Sequence, residues 1–197
     1  MMRVASCLSA LPLALALAGC GSSPPTRILT LDAVAPPAAA IRADYRGPPV
    51  AIPAVHVPAA LDRAEYVSRI TAGEAGIDDF ARWAAPLGLL ARDALVRDLT
   101  ARLPAGAVLP PGGTEGAGAV LTFDVTILSL DAGPGGATLQ AAYRIVPGGV
   151  VRQVSLQAPT SGIGPVPGAQ AFGVLIGELA DRIVADLPRA RSPAPLP

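Results

Sequence analysis

The 197-residue sequence predicts an α+β two-layer sandwich: a mainly antiparallel sheet with two helices packed on one face. Three observations carry this. Trp83 to Leu103 and Gly168 to Leu187 repeat apolar residues at helical spacing. Residues 120 to 158 instead alternate apolar and polar residues in three runs separated by Gly/Pro turns. Shorter alternating runs precede the first helix, so the order is two or three strands, a helix, three strands, a helix.

Arg27 to Val34 is a β-type run, with Leu29, Leu31 and Ala33 alternating against Thr30 and Asp32. Ala35 to Pro49 is a Pro/Ala loop. Val50 to Val57 reads as a second strand, although Pro53 has no amide to donate and implies an edge or a bulge. Pro58 to Arg63, including Leu61 and Asp62, is a turn or short helical segment. Tyr66 to Thr71 is a short strand, and Ala72 to Gly76 turns the chain back towards Phe80.

In the first helix, Ala91, Leu95, Leu99 and Leu103 recur every four residues beside Leu89 and Val96. Pro86 fits its first turn, where no helical hydrogen bond is lost. Asp78-Asp79 is expected just ahead of this helix, favouring its positive end rather than binding a cation. Asp93/Arg97 and Asp98/Arg102 are opposite charges one turn apart, each pair worth a few tenths of a kcal/mol. Pro104-Ala105-Gly106 ends the element.

The first strand of the meander alternates Leu121, Phe123, Val125 and Ile127 with threonines and Asp124. Its phase then slips, so that Leu128 and Leu130 are apolar; an extra residue, a bulge, is expected there. Gly133 to Gly136 is a turn, Leu139, Ala141, Tyr143 and Ile145 form the next apolar set, and Pro147 to Gly149 turns again. Val150, Val154 and Leu156 continue the pattern, broken by Arg152, which is a rim residue or a partner contact. In the last helix, Phe172, Leu175, Ile176, Leu179, Ile183 and Leu187 make one stripe, with Asp181 outside it. Gly173 and Gly177 permit close approach of another element, and the charged flank excludes a membrane span.

Composition narrows the function. Fifteen arginines balance 15 acidic residues and aromatics make up 4%, so neither the basic patch nor the stacking platform of a nucleic-acid binder is available. One His and two Cys leave little for a soft or imidazole metal site, and no cofactor motif stands up. His56, the single imidazole, sits between valines with prolines at 53 and 58, as a structural strand residue would. There is no Gly-x-Ser-x-Gly elbow. Gly162 to Gly168 superficially resembles a dinucleotide loop, but its third glycine is one residue too far on and two prolines remove phosphate-binding amides. The chain reads as a non-enzyme.

The N-terminus is the most specific segment. Arg3 precedes an uncharged, Leu/Ala-rich run from Val4 to Ala18, too short to span a bilayer and typical of a secretory signal peptide. Leu17-Ala18-Gly19-Cys20 resembles the bacterial lipobox. That resemblance implies removal of residues 1–19, acylation of Cys20 and a lipidated tether over 20–26. Cys7 would leave with the signal peptide, so no disulfide could form. Gly21, rather than Asp, favours the outer membrane by the sorting rule of such lipoproteins. Residues 27–187 then form one domain and 188–197 a disordered tail.

Several blocks together resemble the PqiC-type ABC-transport auxiliary lipoproteins. They are Arg27 to Leu31, Val50 to Pro58 with Leu61-Asp62-Arg63 and Val67-Ser68-Arg69, Trp83 to Leu87, and Leu121 to Val125. Departures are Ala64, where that family often has Pro, and Ile28, where an aromatic is common. The resemblance implies an outer-membrane, periplasm-facing lipoprotein. Its partners would be an MCE-domain protein with its permease and ATPase, which move lipids or hydrophobic compounds between membranes. A scaffold for another envelope machine is the alternative. Arg152 and Leu61-Asp62-Arg63 are the expected contact residues, and self-association into a homo-oligomer is compatible with either reading.

Overall fold

The computed structural model describes residues 24–71, 73–113 and 119–188. Residues 1–23, which include Cys20 and the segment expected to be a signal peptide, and residues 189–197 lie outside these. The fold is the expected α+β sandwich, but its sheets are mixed.

A three-stranded sheet orders β1 (Arg27–Leu29), β5 (Glu74–Trp83) and β4 (Glu65–Thr71), with β1 parallel and β4 antiparallel to β5. The second sheet is the meander β6 (Leu121–Gly133), β7 (Gly136–Val146), β8 (Arg152–Ala158), bordered by β2 (Val50–Ala51) and β3 (Val55–His56). Both short strands run parallel to β6, with Val50 opposite Leu121 and Val55 opposite Val125. Five steps of chain therefore match four, and the surplus falls around Pro53, at a sheet edge, where its missing amide breaks no ladder. Hydrophobic alternation reveals which side chains share a face but is blind to strand direction, so the parallel pairings were not legible in it.

The slip in the β6 pattern is a bulge. Ile127 faces Ala141 and Ser129 faces Gln140, leaving Leu128 unpaired and exposed while Leu130 returns to the core.

Two boundaries differ from expectation. Trp83 ends β5 instead of opening a helix. Helix α1 (Leu87–Arg102) begins after Pro86, whose carbonyl accepts the Leu89 and Leu90 amides at 2.9 and 3.1 Å. Asp78 and Asp79 consequently lie within β5, not at a helix end, and the Asp78 carboxylate accepts the Phe80 amide at 2.9 Å where the pairing with β4 is irregular. Helix α2 (Pro165–Asp186) starts three residues before Gly168, because prolines 165 and 167 fall in the first turn, where amides have no helical acceptor.

Only Arg27–Leu29 of the first β-type run enters a ladder. Beyond it the backbone is held by helical side chains. Arg97 Nη2 donates to the Leu31 carbonyl at 2.7 Å, and Asp98 Oδ1 accepts the Val34 amide at 2.8 Å. The same segment crosses the glycines of α2: a Cβ on Gly173 would lie 2.8 Å from the Asp32 carbonyl oxygen, and one on Gly177 would lie 3.3 Å from the Val34 Cβ. Those glycines thus serve close approach, as their spacing suggests.

Between the helices, charges are buried. Asp98 and Arg102 are inaccessible rather than a surface pair. Arg102 donates to the Asp98 and Gly177 carbonyls at 2.8 and 3.0 Å, lies 3.4 Å from Asp98 Oδ1, and bonds the Asp181 carboxylate through Nε. Burial pushes the Asp98 carboxyl above the usual carboxylate range, against the lowering effects of the Val34 amide and Arg102. Asp93 pairs with Arg92 at 2.8 Å and not with Arg97, which is engaged with Leu31. The aromatic rings of Tyr66, Trp83 and Phe172, with centroids 5.7 to 6.3 Å apart, join the smaller sheet to α2.

Candidate functional site: two ends of one helix

Helix α2, 22 residues long, runs about 33 Å from end to end at 1.5 Å per residue. At its N-terminal end Gly168 meets Tyr66 and Ala132, and Arg69 Nη2 on β4 bonds Asp131 on β6 at 2.7 Å. The β4–β5 and β6–β7 turns are therefore at this end, with the loop 159–164. A cleft of about 270 Å³ opens among them. Further along, Asp32 faces Gly173 and Val34 faces Gly177, so the N-terminal segment runs in the same direction as α2. The chain enters the fold from the end that carries the cleft.

Arg152 lies at the other end. It begins β8, opposite Tyr143 on β7, and its Nε is 2.8 Å from Asp186 Oδ2, at the last residue of α2. The Tyr143 hydroxyl donates to the same oxygen at 2.7 Å. Burial, and then the neighbouring Asp186 carboxylate, push the Tyr143 hydroxyl well above its ordinary pKa. A shallow cleft of about 190 Å³ is lined by Arg152 with Phe123, Tyr143, Ile145, Val150 and Asp186. Val150 is 83% exposed at its lip, beside exposed Val151. The guanidinium is thus fixed through Nε while the side chain stays accessible.

Leu61-Asp62-Arg63 is elsewhere. The Leu61 and Asp62 amides donate to the Pro58 carbonyl at 2.8 and 3.1 Å, forming a turn whose Leu61 packs on the core. Asp62 and Arg63 are exposed, and Arg63 Nε bonds Glu65 at 3.1 Å. This turn lies between β3 and β4, on the far side of β6 and β7 from the β8 edge, so the two expected contact points do not form one site. Cys20 lies outside the described residues.

His56 lies on the open face of the meander, largely exposed, with Nε2 3.8 Å from Asp124 Oδ1; Asp124 also bonds Arg144 at 3.1 Å. Among the described residues no hydroxyl is hydrogen-bonded to His56, and no group of three His, Cys, Asp or Glu side chains is placed to hold a metal. No helix among the described residues is long and apolar enough to cross a membrane.

The sequence reading does not single out Asp186, and it places Tyr143 only among apolar strand residues. The available signal was electrostatic: an aspartate in the last turn of a helix faces the negative end of the macrodipole and calls for a nearby cation or donor.

The chain belongs to the ABC-type transport auxiliary lipoprotein component family, whose model matches residues 29–184. Its fold is shared with the crystal structure of an uncharacterized protein, at TM-score 0.68 and 16% identity over 83% of this chain and 99% of that one. Protein XCC0632 from Xanthomonas campestris, a DUF330 family member, is similar at TM-score 0.57 and 16% identity, covering 81% of this chain and 92% of that one. DUF330 is this same family. No curated protein matches.

Proposed function

We propose that this protein is a non-enzymatic, outer-membrane lipoprotein, anchored through Cys20, that docks a periplasmic MCE-type protein of an ABC transport system moving lipids or hydrophobic compounds between membranes. One observation carries the docking assignment: the Arg152 cleft lies at the opposite end of α2 from the entry of the tethered chain. The six steps of chain from Cys20 to Thr26 reach about 20 Å at most, which keeps the domain close to the bilayer. The Arg152 end then points into the periplasm, towards a partner rising from the inner membrane. Exposed Val150 and Val151 beside a fixed guanidinium supply the apolar contact and charge of a protein-binding patch.

The test is co-purification of the acylated protein with the MCE protein encoded beside it, from detergent extracts. Arg152→Glu should abolish it while leaving the fold intact, and deletion of either gene should give the same envelope-permeability defect. Unchanged co-purification would remove Arg152 from the interface. No association even under cross-linking, with different deletion phenotypes, would favour a scaffold for another envelope machine.

A further inference from the structure

We propose that the opposite end of the fold, around the larger cleft, is a bilayer-contact surface whose exposed isoleucines enter the lipid interface. The proposal rests on acylation at Cys20. Cys20 is four residues before Pro24, the first described residue, so its acyl chains attach within about 14 Å of that point. Because the N-terminal segment runs with α2 from the cleft end, the lipid and this end share one side of the molecule.

That end is built for an apolar surface. Ile163, in the loop before α2, is 79% exposed, and Ile70, next to the β4–β5 turn, is 56% exposed. Both line the cleft together with Ala132, Pro134 and Pro165. They come from elements far apart in the chain and converge only through the fold. An isolated exposed isoleucine needs no explanation; two at the rim of one apolar cleft, beside a lipidated chain end, do.

The charges present say which lipid surface fits. Arg69 is engaged with Asp131, and Glu74, Asp78 and Asp79 belong to the same hairpin. Among the described residues this face offers no free cluster of cations for anionic headgroups. Contact is therefore apolar, with zwitterionic lipid, and weak on its own. The anchor supplies the high local concentration that makes it persist.

The experiment uses the acylated mature protein in phosphatidylcholine vesicles containing nitroxide-labelled lipid. Acylated Cys20 has no free thiol, so Ile163→Cys, Ile70→Cys and Val150→Cys each provide one site for an environment-sensitive fluorophore. Quenching at 163 and 70 should exceed that at 150 at least threefold and should persist at high salt. Adding Ile163→Asp to Ile70→Cys, both being exposed sites, should reduce quenching at 70. Equal or absent quenching at the three positions, in protein that still floats with vesicles, overturns the proposal, whether or not a protein covers this face in the cell. Protein that carries no acyl group and does not float refutes the anchor reading, and the proposal with it.

Discussion

A Cβ placed on Gly168 would collide with the Tyr66 hydroxyl oxygen and lie 2.8 Å from the ring carbon that bears it. The first turns of α2 and the start of β4 thus approach closely enough that only hydrogen fits between them. Tyr66 is buried, and desolvation raises its hydroxyl pKa to about 12.

Gly168→Ala should therefore destabilise the fold despite the better helix propensity of alanine. Overpacking of this kind costs about 1–3 kcal/mol, and urea denaturation measures it. Tyr66→Phe in the same chain should recover part of the loss, since the hydroxyl is the nearer obstacle. A Gly168→Ala protein as stable as the parent would show that β4 and α2 separate freely.

The buried charges between the helices make a second case. Arg102→Met strands Asp98 and Asp181 beside each other without their shared cation, and removal of one partner from such a network costs about 3–5 kcal/mol. Asp98→Asn should cost far less. It keeps an oxygen for the Val34 amide and replaces an Oδ2 that has no hydrogen-bond partner. Comparable losses in the two variants would contradict this account.

The same aspartate sets a pH dependence. Its carboxyl binds protons more readily folded than unfolded, because burial penalises the anion. Its contribution is fully present below the ordinary carboxylate value and is lost as pH rises through the raised, folded one. Asp98→Asn should remove that slope, so the difference in stability between parent and variant should change across the mildly acidic range. A difference that is flat with pH would show that Asp98 does not titrate in the fold.

Acylation is tested directly by Cys20→Ala. The variant should accumulate as an unprocessed precursor that incorporates no labelled palmitate. Normal processing would overturn the lipobox reading.

His56→Ala should fold as the parent does and support the same envelope phenotype, since its imidazole is largely exposed with only Asp124 nearby. Loss of function in a folded, abundant variant would revive a catalytic role, because losing a general base typically costs 10²–10⁴-fold.

The contrast between Leu128 and Asp98 shows what the sequence could convey. The bulge at Leu128 was legible because a period-two pattern that slips by one leaves a local trace. Asp98 and Arg102 carried the same one-turn spacing whether they faced water or another helix. Their burial depends on Asp181 and Gly177, far along the chain, so the one-turn spacing alone could not convey it. The neighbours Arg152, Tyr143 and Asp186 differ in the same way. A charge breaking an apolar run marked Arg152 itself, whereas Tyr143 was indistinguishable from its apolar neighbours and Asp186 became meaningful only when α2 brought it alongside. For Asp78 and Asp79, the weak alternation of β5 left nothing to say that a strand continued to Trp83.

The parallel pairing of β2 and β3 with β6 has a consequence for how the chain reaches this shape. The meander and α2 are contiguous in sequence and can assemble from local encounters. Strand β6, however, acquires its outer neighbours from the first half of the chain, and loop closure over that span is slow. As the polypeptide emerges from its N-terminus, Val50 to His56 must wait unpaired, an open edge beside a Pro/Ala loop, until the second half arrives. Prolines at 48, 49, 53 and 58 make that interval safer, since a segment so short of amide donors is a poor template for pairing with a second nascent chain.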